Sequence, residues 1–486
     1  MNYKNVRQVL EVMENDEQTA LINHEDKTLS YKDLYRLSNN LANELNNSSE
    51  RVVMLLPNDF SFAISLFSIW FAGKTAIPLG VGLKDNEICS IANYCGADTI
   101  IVEAEDVNRE FEGLKKIVLT EQFFKQKNII SDYSCFGAKP SSIALILPTT
   151  GTSSKPKYVE LTHANILSSL EGISKSFQLV EGCCELIIGP LSYVTSLIAQ
   201  LLAVLYSKGN VVIYRGQINP LKIARLINHY KVIYSGATTS LAKLIFSNAS
   251  PEDLASLKGL VTGGEPVTKS FIEILSSTLP HCRIIQSYGM TETCSMITGD
   301  VSDSTVPIRS AGKPMHHVKI RIAGENGEEC PVGMRGEILV KGDCVTKGYY
   351  KNETLNAATF IDDWFKTGDI GMLDEQGNLF VLGRIKNMLI VGGQNVYPEE
   401  VEECLLSHPL VQNAFVYGEK HEVLGEVPIA KIVLKPGATI TENALYNYCK
   451  EHLSNFKIPK QILFEESVHL NAVGKQIRIK KSINDG

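Results

Sequence analysis

The stretch 149–157 reads Thr-Thr-Gly-Thr-Ser-Ser-Lys-Pro-Lys and follows, after Pro148, an apolar run at 143–147. The apolar run predicts a buried strand. A loop of hydroxyls, a glycine and lysines after a strand suits phosphate, because its backbone N–H groups converge while hydroxyl and ammonium groups add donors. The spacing is not that of a Walker A loop. Taken alone, the stretch is more typical of a Ser/Thr-rich surface turn, so its role depends on the rest of the chain.

Composition excludes several classes of protein. The chain has 486 residues, which suggests roughly three domains. The net charge of -7 argues against a nonspecific nucleic-acid binder. The most apolar stretch, 60–73, is too short to span a bilayer and predicts a buried helix, and no segment has the order of a signal peptide. The 11 cysteines include no Cys-x-x-Cys pair, which fits a reducing cytoplasm and argues against a disulfide framework or a zinc site.

The first half of the chain alternates helical and strand-like segments, which predicts an α/β fold with largely parallel sheets. Short apolar strands are expected at 52–56, 186–188, 211–213, 232–234 and 260–262. From about Ser310, glycines, prolines and short alternating runs predict a smaller β-rich subdomain. The last hundred residues, opening with a helix at Pro398, have a small α+β pattern.

Four more segments join the hydroxyl-rich loop. They are 286–293 (Gln-Ser-Tyr-Gly-Met-Thr-Glu-Thr), 364–369 (Trp-Phe-Lys-Thr-Gly-Asp), 383–398 with its Gly-Arg-Ile-Lys and Gly-Gly-Gln-Asn-Val-Tyr-Pro, and 471–475 (Asn-Ala-Val-Gly-Lys). In this order and spacing the chain resembles the adenylate-forming superfamily: acyl- and aryl-CoA ligases, adenylation domains of peptide synthetases, and beetle luciferases. The resemblance covers nearly the whole chain, including the connecting pieces 263–266, 336–338 and Gly348-Tyr349.

The resemblance implies a domain organisation. Residues 1–384 would form a large N-terminal ATP- and acyl-binding domain of two largely parallel α/β subdomains plus the β-rich subdomain. Residues 387–486 would form a small mobile α+β C-terminal domain that carries a catalytic lysine, with a hinge near 385–386.

Five side chains suit the parts of ATP. Tyr288 offers an aromatic face for adenine, and Asp369 can accept both ribose hydroxyls. Thr291 can donate to the α-phosphate, and Glu292 is a hard oxygen ligand for Mg²⁺. Arg384 can reach the ribose or a phosphate. Taken in isolation, four of them have simpler explanations: a core tyrosine for Tyr288, a solvated surface carboxylate for Glu292, a turn aspartate for Asp369 and a surface salt bridge for Arg384.

The resemblance adds further nucleotide contacts and a catalytic group. The residues implied for the β,γ-phosphate loop are Thr149, Thr150, Gly151, Thr152, Ser153 and Lys157, and those around the nucleotide are Gly264, Glu265, Ser287, Gly289 and Met290. Lys475 is the predicted catalytic residue of the first step, because an ammonium between an attacking carboxylate and the α-phosphate relieves their repulsion. Without the other motifs it would be a solvated charge in a basic tail.

The family works in two steps: a carboxylate and ATP give an acyl-adenylate and pyrophosphate, then a thiol displaces AMP. Relatives swing the C-terminal domain between the steps, and Lys386 occupies the hinge position. Gly392 and Gly393 match the glycine-rich loop that makes room for pantetheine, although a structural turn explains them equally well.

Several residues depart from the family pattern. Ser154 and Tyr158 replace glycines in and after the phosphate loop and are expected to stiffen it. Asn387 stands where aspartate is common, and Val473 where threonine is common. Tyr193 takes a position often held by histidine. None of these changes removes a phosphate ligand or the lysine, so they bear on efficiency and acyl specificity.

The acid and the acceptor stay open. The candidate acyl pocket has no charged side chain, which predicts a neutral acyl group; its residues are Tyr193, Ser196, Ala237 and Gly263, with Gly264, Ser287 and Met290 beside them. No aspartate accompanies Tyr193, which disfavours amino acids. The expected acceptor is CoA, the alternative is the phosphopantetheine of a carrier protein, and a further alternative is a non-catalytic nucleotide-binding relative. We expect a cytoplasmic monomer or homodimer.

Overall fold

The structure is a computed structural model, and it describes residues 3–126, 138–149, 156–263, 267, 269–299, 307, 310–324 and 326–466. The strands are β1 (Thr19–Ile22), β2 (Thr28–Ser30), β3 (Arg51–Leu55), β4 (Thr75–Leu79), β5 (Thr99–Glu103), β6 (Lys115–Leu119), β7 (Ile143–Thr149), β8 (Lys157–Thr162), β9 (Cys184–Ile187), β10 (Asn210–Ile213), β11 (Tyr234–Gly236), β12 (Gly259–Thr262), β13 (Arg283–Gln286), β14 (Gly289–Met290), β15 (Ser295–Met296), β16 (Lys319–Ala323), β17 (Gly336–Lys341), β18 (Phe360–Ile361), β19 (Trp364–Leu373), β20 (Leu379–Arg384), β21 (Leu389–Val391), β22 (Gln394–Val396), β23 (Val411–His421), β24 (Gly425–Leu434) and β25 (Gln461–Phe464).

The helices alternate with these strands through the first half of the chain. They are α1 (Gln8–Glu11), α2 (Tyr31–Glu44), α3 (Phe60–Phe71), α4 (Asp85–Cys95), α5 (Glu121–Phe124), α6 (His163–Ser176), α7 (Ala203–Tyr206), α8 (Pro220–Tyr230), α9 (Thr239–Asn248), α10 (Pro251–Leu254), α11 (Lys269–Thr278), α12 (Glu353–Thr359), α13 (Pro398–Leu406) and α14 (Glu442–His452). A π-helix spans Thr195–Leu202, and 3₁₀ turns cover Ala104–Asp106, Thr291–Thr293, Ile385–Asn387 and Asn455–Lys457.

Two largely parallel sheets form the N-terminal part of the described chain. One has the order β6-β5-β3-β4-β7-β8, and its single antiparallel pair is β7–β8. The other has the order β13-β12-β11-β9-β10-β1-β2, antiparallel where β1 meets β2. The alternating pattern predicts such largely parallel sheets, and the two sheets agree with the two α/β subdomains that the family resemblance implies.

Alternate side chains of β3 enter different hydrophobic clusters. Val52 and Met54 pack in the large cluster that includes both sheets and α2, α3 and α6, whereas Val53 and Leu55 pack in the cluster around α4. Because successive strand residues face opposite sides, the sheet is covered on both faces, and the four apolar residues of β3 are all buried. Every residue of α3 is buried, as expected for the most apolar stretch.

One predicted strand starts later than expected. The apolar run predicts a strand at 232–234, but β11 begins at Tyr234. Lys231 ends α8 in the left-handed conformation, and the N–H of Val232 still bonds to the carbonyl of Ile227. The chain therefore enters the sheet only after the helix C-cap is complete.

Beyond these sheets, β16, β17, β18, β19 and β20 form an antiparallel sheet, as the β-rich texture predicts. After the 3₁₀ turn Ile385–Asn387, the order β22-β21-β24-β23 forms another sheet, with β25 parallel to β24. This last sheet packs with α13 and α14 around its own hydrophobic cluster. The domain boundary and hinge at 385–386 remain predictions, and this arrangement is consistent with them. No helix among the described residues is long and apolar enough to span a membrane.

Candidate active site

The turn that follows β13 carries six of the predicted nucleotide contacts, residues 287–292. Ser287 and Tyr288 lead into β14, which pairs with β15 so that Gly289 lies opposite Met296. A Cβ on Gly289 would lie 1.9 Å from the carbonyl oxygen of Ser295, so the close approach of the two strands requires glycine. The N–H of Met290 donates to the Thr293 hydroxyl at 3.1 Å, which closes the 3₁₀ turn containing Thr291.

Tyr288, Asp369 and Arg384 form one hydrogen-bonded group. The Tyr288 hydroxyl donates to Asp369 Oδ2 at 2.7 Å, and Arg384 Nε lies 3.1 Å from Asp369 Oδ1. Asp369 and Arg384 are also register partners across β19 and β20. Since an ionised carboxylate accepts at about four lone-pair positions, the Asp369 carboxylate retains acceptor capacity for ribose hydroxyls.

Burial and charge act in opposite directions on Asp369. Its carboxyl is only 4% exposed, and this burial raises its pKa. The Arg384 guanidinium and the Tyr288 hydroxyl oppose that rise. Burial, followed by the charge of Asp369, raises the pKa of Tyr288 well above its usual value, so the hydroxyl stays a donor. This bonding distinguishes Asp369 from a simple turn aspartate.

Glu292 is held by a second tyrosine. Tyr349 is 6% exposed, and its hydroxyl donates to Glu292 Oε1 at 2.8 Å. Burial and then the Glu292 carboxylate raise the pKa of the Tyr349 phenol. The Glu292 carbonyl accepts from the N–H of Thr346, which fixes the backbone as well. Glu292 is therefore an anchored carboxylate rather than a solvated one.

One end of the predicted phosphate loop lies beside the tyrosine that holds this carboxylate. Thr149 and Lys157 are the last register pair of β7 and β8. The Lys157 ammonium lies over the ring of Tyr349, 5.1 Å from its centroid, so a cation, Tyr349 and Glu292 adjoin one another. A Mg²⁺ ion that is bound with phosphates usually takes only one or two carboxylates, so the single carboxylate of Glu292 fits the predicted role of metal ligand.

Several predicted site residues lie outside the described residues: Thr150, Gly151, Thr152, Ser153, Gly264, Glu265 and Lys475. The departures Ser154 and Val473 lie there as well. Their predicted roles stay predictions.

Two other departures have clear structural roles. Tyr158 is buried against Tyr94, with ring centroids 4.9 Å apart, in the cluster around α4. It fills the core beneath the sheet instead of entering the loop. Asn387 donates from Nδ2 to Glu399 Oε1 at 2.8 Å, a bond that the common aspartate would replace with two facing carboxylates.

The candidate hinge residue Lys386 precedes Asn387 in the sequence, and the glycine pair Gly392 and Gly393 follows it. Lys386 lies in the 3₁₀ turn near Asp369, where its charge opposes the rise that burial causes in the pKa of that carboxyl. Gly392 and Gly393 have φ of +57° and +81° and join β21 to β22 as a two-residue hairpin loop. Such a loop needs positive φ at both positions, so the turn alone accounts for both glycines.

Two of the predicted acyl-pocket residues lie at the carboxyl ends of parallel strands. Ala237 follows β11, and its N–H bonds to the Val261 carbonyl of β12, which Gly263 follows in turn. Tyr193 is 40% exposed just before the π-helix, whereas Ser196 inside that helix is buried. Ligands of open α/β sheets bind at this edge.

Sequence reasoning gave no role to Tyr349, although it anchors Glu292. The available signal was its place in the connecting piece Gly348-Tyr349. A tyrosine after a glycine carries no indication of a partner 57 residues away along the chain.

Comparison with known proteins identifies the family. Residues 11–350 match the family described as AMP-binding enzyme, and residues 400–475 match the AMP-binding enzyme C-terminal domain. The chain belongs to the AMP-binding enzyme family.

Other AMP-binding enzymes resemble the chain over nearly its full length. The 2-succinylbenzoate–CoA ligase of Bacillus subtilis strain 168 is 32% identical over 475 residues, which cover 95% of this chain and 94% of that protein. The structure of o-succinylbenzoate CoA synthetase from Bacillus subtilis with its acyl-adenylate intermediate has a TM-score of 0.88 at 29% identity, covering 100% and 98% of the two chains. The same synthetase with ATP and magnesium ion has a TM-score of 0.86 at 30% identity, covering 97% and 98%.

The predicted superfamily, fold class and enzyme class, an AMP-forming acid–thiol ligase, are thereby confirmed. The predicted reaction, acyl-adenylate formation followed by thioester formation on CoA, agrees with the names of these AMP-binding enzymes. ATP and Mg²⁺, the predicted cofactors, are bound in one of the solved structures.

Proposed function

We propose that this chain activates 2-succinylbenzoate with ATP, releases pyrophosphate, and transfers the acyl group from its adenylate to CoA with release of AMP. Full-length similarity to enzymes named for this acid supports the substrate. Oligomeric state and a cytoplasmic location stay predictions from the sequence.

One arrangement of side chains supports the proposed class of reaction. Two tyrosine–carboxylate pairs lie at the two ends of the turn 288–292: Tyr288 with Asp369, and Tyr349 with Glu292. The first pair offers a ring for adenine and a carboxylate for ribose. The second offers a metal ligand beside the Lys157 ammonium. The order of these groups along the turn follows the order of base, sugar and phosphates in ATP.

In the first half-reaction, the described residues bind and orient ATP. Asp369, with one side held by Tyr288 and the other by Arg384, would accept the ribose hydroxyls. Mg²⁺ held by Glu292 would neutralise phosphate charge as pyrophosphate leaves. Thr291, on the same 3₁₀ turn, would donate to the α-phosphate, and Lys475 would stabilise the charge that develops during attack.

The second half-reaction depends on the junction at 385–387. Arg384 is bonded to Asp369, whereas Asn387 is bonded to Glu399 on α13. The short turn between them would change conformation as the C-terminal domain rotates. A thiol would then reach the acyl carbon and displace AMP.

The proposed acid differs from the neutral acyl group that the sequence predicts. 2-Succinylbenzoate has two carboxylates, so one is retained after the other is activated. The four pocket residues that led to that prediction are uncharged, so a retained carboxylate would need hydrogen-bond donors from hydroxyl, amide or backbone N–H groups.

The test is ATP–pyrophosphate exchange with 2-succinylbenzoate and with 4-oxo-4-phenylbutanoate, which lacks the ring carboxylate. We expect higher kcat/KM for 2-succinylbenzoate. A higher kcat/KM for 4-oxo-4-phenylbutanoate would reject 2-succinylbenzoate as the substrate and favour an acid with a neutral acyl group. AMP release with CoA and with a pantetheinylated carrier protein then distinguishes the two acceptors.

A further inference from the structure

A carboxyl group lies inside the sheet that carries the acyl pocket. Glu185 occupies β9 between apolar residues and is 5% exposed, as is Gln200 of the π-helix. Gln200 Nε2 donates to Glu185 Oε1 at 2.9 Å. Glutamate is rarely buried without a specific partner, so this pair calls for a functional or structural explanation.

The pair faces a cavity of about 20 Å³, room for one water molecule. Three of the residues that line the cavity are close in sequence to predicted acyl-pocket residues: Thr195 precedes Ser196, Gly236 precedes Ala237, and Val261 lies two residues before Gly263. Its remaining wall is apolar and includes Phe177. Glu185 and Gln200 are thus the polar part of a mostly apolar floor next to residues predicted for the acyl pocket.

Two features of the backbone give Gln200 its place. It belongs to the π-helix Thr195–Leu202, a type of helix often found at functional sites. On the facing strand, a Cβ at Gly236 would lie 3.0 Å from Gln200 Nε2 and would crowd the amide. Glycine at this position leaves space beside the amide.

The carboxyl group of Glu185 can change its charge near neutral pH. Burial raises the pKa of Glu185 to about 7, and the bond from Gln200 opposes the rise. The titratable groups around Glu185 are Cys183 and Cys184 on its own chain segment and Tyr234 on β11, and each has a pKa raised mainly by burial. All three are neutral at pH 7. The amide of Gln200 has two N–H bonds, and Glu185 takes one.

We propose that Gln200 is a specificity-determining residue that donates its second N–H to an acceptor oxygen at the distal end of the acyl group, and that Glu185 is a positioning residue that orients the amide. This inference rests on the proposed function, since it concerns the same acyl pocket. It supplies a partner for an acid that retains a polar group far from the activated carboxylate.

Three acids test the inference by pyrophosphate exchange: 2-succinylbenzoate, 4-oxo-4-phenylbutanoate and 4-phenylbutanoate. The second lacks the ring carboxylate, and the third lacks the ketone as well. Gln200→Met keeps the side-chain length and removes the donor. We expect it to lower kcat/KM about tenfold, through KM, for acids that carry the acceptor, and to leave 4-phenylbutanoate within about twofold. If the loss is absent with 4-oxo-4-phenylbutanoate, the acceptor is the ring carboxylate. If it is absent only with 4-phenylbutanoate, the acceptor is the ketone.

Ser235→Ala is the matched control, because the Ser235 hydroxyl makes a buried bond to the Leu186 carbonyl on the same sheet without lining the cavity. It should leave the ratios among the acids unchanged. Equal losses by Gln200→Met for all three acids, or no loss, would overturn the inference alone. A wild-type protein that activates none of the three would reject the proposed function and the inference together.

Glu185→Gln tests the positioning role of Glu185. It also provides a second test of the proposal if the Gln200→Met variant fails to fold. In the wild type, KM for 2-succinylbenzoate should rise as pH passes about 7, because ionised Glu185 repels the retained carboxylate. The ratio of variant to wild-type KM should therefore fall with pH. A ratio that stays constant from pH 6 to 8 would assign Glu185 a purely structural role.

Discussion

The Tyr288 hydroxyl and the Asp369 carboxylate lie 2.7 Å apart although 81 residues separate them in the chain. The bond joins the turn after β13 to the β-rich subdomain. It therefore ties the surface proposed for adenine to the group proposed for ribose.

Tyr288→Phe removes this bond but keeps the aromatic ring. Asp369 would keep only its Arg384 partner, so we expect KM for ATP to rise about three- to tenfold with little change in KM for the acid. Steady-state pyrophosphate exchange measures both. Tyr230→Phe is the control, because the Tyr230 hydroxyl bonds to Asp26 at 2.8 Å on a distant exposed surface. Equal effects of both variants would contradict a role for Tyr288 in ATP binding.

Glu292→Gln removes the charge of the proposed metal ligand while an amide oxygen can still accept from Tyr349. We expect exchange to fall on the order of 100-fold at low Mg²⁺ and to recover partly as Mg²⁺ is raised. Tyr349→Phe keeps the carboxylate and should have the smaller effect. A Mg²⁺ dependence unchanged from the wild type would remove Glu292 from the metal site.

Lys475→Ala should slow acyl-adenylate formation on the order of 100- to 1,000-fold, because it removes the ammonium expected to stabilise the transition state. ATP binding, measured by calorimetry, should be largely retained. Lys481→Ala changes a lysine in the same basic segment and should leave the single-turnover rate unchanged. Acyl-AMP formed at the wild-type rate by the Lys475 variant would disprove its assigned role.

Lys386→Pro should impair thioester formation more than adenylation, because proline fixes φ in the 3₁₀ turn that would have to rotate. Quench-flow measurement of acyl-AMP and of the thioester separates the two half-reactions. Lys386→Ala removes the same side chain without restricting the backbone. If proline slows both half-reactions equally, the domain rotation proposed here is wrong.

Glu185→Gln should alter the pH dependence of stability. The folded-state pKa of Glu185 is about 7, against 4.5 for the free side chain. Both states are protonated below pH 4.5, and above it the unfolded chain ionises first. The wild type therefore loses free energy of unfolding between pH 4.5 and 7, by about 3 kcal/mol at most.

The variant lacks this loss, so its stability relative to the wild type should increase over that range and stay constant above pH 7. Urea unfolding at pH 5, 6, 7 and 8 measures the difference. In Glu171→Gln the change should be small and of opposite sign, because Lys175 lowers the pKa of Glu171. A pH-independent difference for Glu185→Gln would mean that the carboxyl is ionised at the same pH in both states.

Local patterns predicted the sheets and the positions of the motifs, because buried strands and capped helices leave short-range signals. The motif at 286–293 could thus be placed in a turn after a strand. The partners of its side chains could not, since Asp369 and Tyr349 reach the turn only through the packing of the β-rich subdomain. Glu185 was visible as a single charge in an apolar run, but its pairing with Gln200 depends on the π-helix.

The register of β7 and β8 has a consequence for how such an enzyme can diversify. Because Thr149 and Lys157 are paired, the two ends of the intervening segment are fixed one strand spacing apart. Insertions or deletions among residues 150–156 are compatible with the same pairing of β7 and β8. The proposed phosphate loop can thus vary in length independently of the residues proposed to select the acid.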